Sequence, residues 1–248
     1  MRIAIVSDIH GNRTAFEAVL ADLRLTSPDL ILHGGDLPHG GSSPAEIVDW
    51  IRDLGWQGVA GNTDEMLWAP ETLTEFASGV PQLRAMFEAI EEMAAATREA
   101  LGGERIAWLS RMPRTLVQGR VALVHAGRES TWRSPVQTAS DEELYAEYAP
   151  LGKPAVVYGH IHSPFVRRVS GAGGEMMVAN SGSVSLSYDG DRRAAYLLLD
   201  DEVSGDGEPE IRRVEYDVDK EIRAVRECGL PQADWIARTL ESGLPQML

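Results

Sequence analysis

The chain has 248 residues, of which 44% are hydrophobic and 25% are charged, and this composition is typical of a globular protein that forms one domain over residues 1–248. Its formal net charge of -15 disfavours long nucleic acid as a partner, because a negative surface repels a polyanion. The single cysteine, Cys228, excludes an internal disulfide. The apolar run Ile3–Val6 is too short for a signal sequence and no segment is long enough to span a membrane, so we predict a cytoplasmic protein without a membrane partner.

The N-terminal part of the chain alternates between buried strands, polar motifs and helices. Strands are predicted at Ile3–Val6, Leu30–Leu32 and Gln57–Ala60, and the motifs that follow them are Asp8-Ile-His10, Gly35-Asp36 and Gly61-Asn62. The spacing of apolar residues predicts a helix after the first motif and another from Pro44. Because ligands of α/β sheets bind at the carboxyl ends of strands, these motifs predict a binding site there.

The segment of about residues 65–112 interrupts this alternation, since it is rich in Ala, Glu and Met with helical periodicity. We interpret it as a helical insertion in an α/β domain. Packing over the edge of the sheet is the simplest role. Shaping of a substrate pocket and formation of a homo-oligomer surface are the alternatives.

The C-terminal half returns to strands and supplies three more histidines. Strands are predicted at Arg114–Val117, Arg120–Val124, Pro154–Tyr158, Phe165–Val169, Glu175–Ala179, Ala194–Leu199 and Ile211–Tyr216, with a polar turn at Ser204–Glu210. His125 follows the second of these strands, and His160 and His162 follow the third. Two short helices, separated at Gly229–Pro231, are predicted after Val218.

Seven side chains in these motifs are able to bind metal, the number that two four-coordinate cations sharing one carboxylate require. They are Asp8, His10, Asp36, Asn62, His125, His160 and His162, with Asp36 as the natural bridge. Four imidazoles, two carboxylates and one amide suit Mn, Fe, Zn, Ni or Co better than Mg or Ca, and we favour Mn²⁺. Two such ions roughly 3.5–4 Å apart hold a bridging hydroxide and clamp a phosphoryl group, which permits hydrolysis without a covalent enzyme intermediate.

The order of these motifs resembles that of a known family. Asp8-Ile-His10-Gly-Asn, Gly34-Gly-Asp36, Gly61-Asn62-Thr-Asp, Val124-His125-Ala, Gly159-His160-Ile-His162 and Asn180-Ser-Gly-Ser183 are similar to the signature of the calcineurin-like metallophosphoesterases, particularly their small bacterial and archaeal phosphodiesterase branch. The resemblance implies a four-layer αββα sandwich of two mixed sheets flanked by helices. It also implies one ion held by Asp8, His10, Asp36 and His162, and a second held by Asp36, Asn62, His125 and His160.

Three further residues are candidates for contact with the substrate phosphate. Asn12 and Arg13 open a predicted helix, whose free amides and dipole favour an anion. Arg128 lies just beyond His125 in the chain. The ring of His33 is expected to pack beside the sheet.

The chain departs from the family at Thr63, where many relatives carry a histidine placed to protonate the leaving oxygen. Threonine cannot act as a general acid near neutral pH, and loss of such an acid typically costs on the order of 10²–10⁴ in rate. His39 is therefore the candidate substitute acid. Asp36 and Asn62 are assigned to catalysis as well as to metal binding. A substrate with a good leaving group and slow chemistry are the alternatives.

The favoured function is hydrolysis of small phosphodiesters or activated phosphomonoesters by direct attack of a dimetal-bound hydroxide, and a phosphodiesterase is favoured over a monoesterase. The alternative is a metal-binding scaffold or regulatory module of the same fold with low turnover. A nuclease acting on long DNA or RNA is disfavoured by the negative charge.

Overall fold

Two five-stranded mixed sheets form the centre of the molecule, for which the computed structural model describes residues 1–200 and 208–247. The first sheet contains β1 (Arg2–Val6), β2 (Leu30–His33), β3 (Gln57–Gly58), β9 (Ala194–Asp200) and β10 (Glu210–Val214), in the order β10-β9-β1-β2-β3. The second contains β4 (Thr115–Gln118), β5 (Val121–Val124), β6 (Ala155–Tyr158), β7 (Phe165–Gly171) and β8 (Gly174–Asn180), in the order β4-β5-β6-β8-β7.

The strands that precede the polar motifs run parallel in each sheet. In the first sheet β1 pairs with β2, with Ile3 opposite Leu30, and β2 pairs with β3. In the second sheet β5 pairs with β6, with Val121 opposite Ala155, and β6 pairs with β8. The carboxyl ends of parallel neighbours lie at the same end of a sheet, so the loops that carry the motifs are brought side by side.

The two sheets pack face to face through alternate residues of their strands. In β1, Ile3 and Ile5 belong to the core between the sheets, whereas Ala4 and Val6 belong to the core beneath the helices. The strands of the second sheet alternate in the same way. Burial on both faces explains why these strands are continuous apolar runs in the sequence.

Helices cover the outer faces and complete the four layers. Helices α1 (Arg13–Thr26), α2 (Pro44–Leu54) and α5 (Arg84–Leu109) pack over the first sheet. Two short helices, α3 (Asn62–Trp68) and α4 (Glu71–Ser78), lie between α2 and α5 in the chain. Helix α6 (Asp141–Tyr148) packs over the second sheet, and α7 (Val218–Glu227) and α8 (Ala233–Ser242) form a smaller core with α5. The predicted fold class is confirmed, including helices over the segment assigned as an insertion.

Two local predictions differ from the structure. Strand β3 ends before Ala60, because the amide of Ala60 donates its hydrogen bond to the carbonyl of Pro113 (2.9 Å) instead of extending the pairing with β2. Helix α6 was not predicted from the sequence, although the hydroxyl of Ser140 caps it by accepting from the amide of Glu143 (3.2 Å).

Two further expectations from the sequence concern a polar turn and membrane-spanning segments. The predicted turn at Ser204–Glu210 lies largely outside the described residues. Within residues 1–200 and 208–247, no helix combines the length and apolar character needed to cross a membrane.

Candidate metal centre

The parallel strands bring the polar motifs together at one end of both sheets. Within the first sheet, the amide of Asp8 donates to the carbonyl of Gly35 and the amide of His10 donates to the carbonyl of Asp36, both at 3.0 Å. Between the sheets, the amide of His160 donates to the Asp8 carboxylate, at 3.2 Å from each oxygen. All seven predicted ligands therefore lie in one cluster, although they come from two sheets.

Five of these seven residues have a positive φ, which residues with a Cβ rarely adopt. The angle lies between 50° and 66° at Asp8, His10, Asp36, His160 and His162. Elsewhere in the described part of the chain, Ser27 and Gln232 are the non-glycine residues with a positive φ. Such strain costs about 1–3 kcal/mol per residue and persists only where the surrounding structure enforces it, so it marks these loops as a candidate functional site.

The first group of side chains joins two carboxylates to two imidazoles. Asp8, His10, Asp36 and His162 are all buried, and each offers a ligand atom within 4.8 Å of the others. His162 Nε2 lies 3.1 Å from Asp8 Oδ1, and His10 Nε2 lies 3.7 Å from Asp36 Oδ2. The two Nε2 atoms are 3.2 Å apart.

The second group consists of Asn62, His125 and His160, and it lies beside the other oxygen of Asp36. Asp36 Oδ1 lies 3.5 Å from His125 Nε2, which is 2.9 Å from the amide oxygen of Asn62. The Nδ1 atom of His160 is 2.9 Å from the same amide oxygen. Asp36 therefore touches both groups, as a bridging ligand would.

The donor atoms in both groups fit cations between them. Three imidazoles donate their Nδ1–H to backbone carbonyls, and the pairs are His10 with His39 (2.7 Å), His125 with Gly34 (2.7 Å) and His162 with Leu186. In a neutral ring of this tautomer the lone pair is on Nε2. Two such lone pairs at 3.2 Å repel unless a positive charge lies between them, and divalent metal ions meet this need.

The electrostatics of the cluster favour the ligand forms that metals bind. Burial raises the pKa of Asp36, but His125 and His10 outweigh it and hold this pKa below its ordinary value. The pKa of Asp8 is lowered by neighbouring histidines in the same way, against the effect of burial. Burial lowers the pKa of His160 to about 4. Ionised carboxylates beside a neutral imidazole are ready for a divalent cation.

His125 behaves differently from His160. Burial lowers its pKa, but Asp36 and Asp8 more than compensate and raise it above the ordinary value. Without metal, a proton on Nε2 can occupy the position between Asp36 and Asn62 that a cation would take. A metal ion bound to this ring would therefore displace the proton, and its affinity would weaken as the pH falls.

Comparison with known proteins agrees with this geometry. The profile of the calcineurin-like phosphoesterase superfamily domain matches residues 1–202. The chain belongs to this superfamily. The resemblance of the motifs is thus confirmed, and membership supports a phosphoester hydrolase that uses divalent metal ions.

Three proteins are similar to this metallophosphoesterase-superfamily chain over almost its whole length. An uncharacterized protein of Methanocaldococcus jannaschii is 28% identical over 97% of this chain and 98% of its own length. The crystal structure of a metallophosphoesterase from Sphaerobacter thermophilus is 25% identical with a TM-score of 0.77, over 98% of this chain and 100% of that one. A hypothetical protein from Pyrococcus horikoshii shares the fold, with a TM-score of 0.81 at 17% identity over 99% of each chain.

Asp64 fixes the loop of this phosphoesterase domain that carries Asp36. Its buried carboxylate accepts hydrogen bonds from the amides of Asp36 (2.8 Å), Leu37 (2.9 Å) and Gly61 (2.8 Å). Burial and the neighbouring Asp36 raise the pKa of Asp64 to about 7. The sequence analysis quoted Asp64 within a motif but assigned it no role, since its contacts span 28 residues.

The end of β8 and the residues after it support the ligand loops of both sheets. The side-chain amide of Asn180 donates to the carbonyl of Gly159, next to the histidine pair. The Ser183 hydroxyl donates to the carbonyl of Asp8 at 2.9 Å. The amide of Ser181 donates to the carbonyl of Tyr158 (3.0 Å).

Tyr188 is a site residue that sequence analysis missed. Its ring stacks on His162, with the ring centroids 4.4 Å apart, and its amide donates to the His162 carbonyl at 3.2 Å. Burial, and then Asp8 and Asp36, raise the pKa of Tyr188 to about 12. A lone tyrosine in a polar loop has no periodic signal, so only the three-dimensional contact identifies it.

The three predicted phosphate contacts are engaged elsewhere in the structure. Asn12 caps α1 by accepting from the amide of Ala15 (2.8 Å), Arg13 pairs with Glu17 and Glu46 (both 3.0 Å), and Arg128 pairs with Glu129 (2.8 Å). Within the described part of the chain, the hydrogen bonds and ion pairs of these side chains do not involve the seven clustered residues. Their substrate role stays a prediction.

The two remaining histidines are buried outside the ligand set. Burial lowers the pKa of His39 to about 3. The His39 carbonyl accepts the Nδ1–H of His10 (2.7 Å). The role of His39 as the substitute acid stays a prediction. His33 packs against Gly58 beside the sheet.

Gly61→Ala should disrupt the cluster. A Cβ at this position would lie 2.0 Å from Asp36 Oδ1 and 2.5 Å from the Asp36 amide nitrogen, so the loop must move. We expect loss of bound metal, measured by elemental analysis, and a decrease in the free energy of unfolding of about 1–3 kcal/mol in urea titrations. Gly103→Ala is the matched control, because nothing lies within 4 Å of the added Cβ and alanine favours the helix. Full metal content in Gly61→Ala would contradict this position of Asp36.

Proposed function

We propose that the protein hydrolyses small phosphodiesters or activated phosphomonoesters, with phosphodiesters favoured, by means of two divalent transition-metal ions. The position of Asp36 is the observation that carries this proposal. Its Oδ2 faces His10 at 3.7 Å and its Oδ1 faces His125 at 3.5 Å, so one carboxylate serves two groups of ligands. Membership of the calcineurin-like phosphoesterase superfamily supports the reaction class.

The two ions would have separate ligand sets that share Asp36. One would be held by Asp8, His10, Asp36 and His162, and the other by Asp36, Asn62, His125 and His160. When bound roughly 3.5–4 Å apart, such ions lower the pKa of water to supply a nucleophile and neutralise charge on the phosphoryl oxygens. The nitrogen-rich ligand set favours Mn²⁺, with Fe, Zn, Ni and Co as alternatives.

The contribution of the chain itself is orientation. His10 and His125 keep their Nε2 atoms directed into the cluster because their Nδ1–H groups are bound to backbone carbonyls at 2.7 Å. Asn62 holds its amide oxygen against both His125 and His160. Orienting partners of this kind typically affect metal affinity or activity 10–100-fold, roughly, when they are removed.

Thr63 supports a preference for good leaving groups. Its amide donates to Asp36 Oδ1 at 2.9 Å, which places the residue beside the bridging carboxylate. Its buried hydroxyl has no hydrogen-bond partner among the described residues. A hydroxyl does not protonate a departing alkoxide near neutral pH, so the substrates that react best should be those whose leaving oxygen needs no proton.

The same residue favours a second candidate function, a metal-binding scaffold or regulatory module that turns over little. Both functions need the metal ligands, but only the first needs turnover. Activity towards an aryl phosphodiester separates them.

Metal dependence tests the proposal directly. The purified protein should hydrolyse bis(p-nitrophenyl) phosphate, lose this activity on chelation and regain it with added Mn²⁺, because the reaction depends on the bound ions. The initial rate of p-nitrophenolate release is the measurement. Binding of two metal equivalents without turnover of aryl or alkyl diesters would instead establish the scaffold function.

Asp36→Ala should lower metal binding from two equivalents to none, because the carboxylate whose two oxygens face His10 and His125 is lost. His10→Ala should remove about one equivalent, since His10 contacts one group. Elemental analysis after gel filtration measures both. Two full equivalents in the Asp36→Ala protein would rule out the bridging role.

Thr63→His should reduce the difference in kcat/KM between aryl and alkyl diesters. An added imidazole helps most where the leaving oxygen is most basic, so the gain should fall on alkyl esters and reach the order of 10²-fold there. The ratio of kcat/KM for the two ester types is the measurement. Thr63→Val, which keeps the volume without an acid, is the control, and equal gains for both esters in Thr63→His would refute this cause of the preference.

A further inference from the structure

Two helices lie beyond the part of the chain that the superfamily profile matches, residues 1–202. Helices α7 and α8 pack against α5 and form a small apolar core with it. Leu186 and Tyr188, from the loop between β8 and β9, pack in the same core. Both residues also contact His162, so the C-terminal helices pack against a segment that reaches a proposed metal ligand.

This loop holds the imidazole of His162 at two points. The carbonyl of Leu186 accepts its Nδ1–H, and the ring of Tyr188 stacks on its face, with the centroids 4.4 Å apart and the planes at 21°. Rotation of an imidazole about its Cβ–Cγ bond has broad minima, so one hydrogen bond leaves the ring orientation loosely defined. The stacked ring limits this rotation and keeps His162 Nε2 directed at Asp8 Oδ1, 3.1 Å away.

Helix α8 also reaches the loop that orients His10. A Cβ added at Gly40 would lie 3.8 Å from Ile236 Cδ1 and 3.9 Å from His10 Nδ1, so this loop lies against both α8 and the His10 ring. The neighbouring residue His39 provides the carbonyl that binds His10 Nδ1 at 2.7 Å. Ile236 is buried in the small core. Both imidazoles of the first group are therefore oriented by segments that contact the C-terminal helices.

The second group has different supports. His125 Nδ1 is bound to the carbonyl of Gly34 at 2.7 Å, and His160 Nδ1 lies 2.9 Å from the amide oxygen of Asn62. Within residues 1–200 and 208–247, the hydrogen bonds of these three side chains involve no residue of the small core. A change in that core should therefore disturb the first group and spare the second.

We propose that Tyr188 and Ile236 are positioning residues through which α7 and α8 set the metal affinity of the first group, and that the second group does not depend on them. The inference deepens the proposed function and rests on it for the presence of two ions. Removing the outer partner of a metal-binding histidine typically weakens metal binding roughly 10–100-fold. The helices thus contribute to metal binding although they carry none of the seven predicted ligands.

Titration calorimetry with Mn²⁺ and the chelator-treated protein tests this role. Tyr188→Leu should weaken one of the two ions roughly 10–100-fold and leave the other unchanged. Tyr188→Phe, which keeps the stacked ring, should retain the affinity of both. Ile236→Ala should weaken the same ion as Tyr188→Leu. Tyr196→Leu is the matched control, because it removes a buried tyrosine whose hydroxyl bonds to Asp22 (2.7 Å), and it should change neither affinity.

Double variants identify the ion that is affected. His125→Ala should leave an ion at the first group, and adding Tyr188→Leu should weaken that ion. His10→Ala should leave an ion at the second group, whose affinity Tyr188→Leu should not change. A general loss of structure in Tyr188→Leu would instead weaken the remaining ion in both backgrounds, which would contradict a positioning role.

The affinities separate this inference from the proposed function. If the wild type binds two ions and Tyr188→Leu weakens both equally or neither, the inference is overturned and the two-ion site stands. A loss in Tyr188→Phe as large as that in Tyr188→Leu would also overturn it. Selective loss of one ion without any hydrolysis of diesters would support the inference and contradict the phosphodiesterase. A wild type that binds fewer than two ions would overturn both.

Discussion

The whole site depends on one carboxylate being held between two groups of histidines. Asp36 faces His10 with one oxygen and His125 with the other, and its backbone has a φ of 54° in this position. Asp64 stabilises that conformation by accepting the Asp36 amide, and Gly61 leaves room for it, since any Cβ there would collide with the carboxylate. A small displacement of Asp36 would leave one of the two groups without its shared ligand.

The rest of the sandwich fold offsets the unfavourable free energy of such a site. Strained ligand residues and buried carboxylates are unfavourable locally, so they require a surrounding structure that is fixed by other interactions. Here the parallel strands end in loops that are bound to one another, as at Asp8 with Gly35 and His160 with Asp8. The apolar core between the sheets, which includes Ile3 and Ile5, keeps both sets of loops in place.

Much of the fold and the ligand cluster could be predicted because their signals are local. A buried strand followed by a polar motif predicts both the strand and the candidate ligand at its end, as at Asp36. Partners distant in the chain could not be predicted in this way: Arg13 pairs with Glu46, which lies 33 residues on, and Tyr188 meets His162 only through folding. Helix α6 was missed because it has few apolar residues, and its cap at Ser140 was the available signal.

Charge gives a further reason for a phosphodiester under the proposed occupancy by two ions. Two divalent cations beside the ionised Asp8 and Asp36 leave a surplus of two positive charges. One deprotonated water and one phosphodiester monoanion would neutralise this surplus, whereas a phosphomonoester dianion would exceed it and would need another cationic group. Under the proposed function, the absence of an acid at Thr63 would favour, among diesters, those with a weakly basic leaving oxygen.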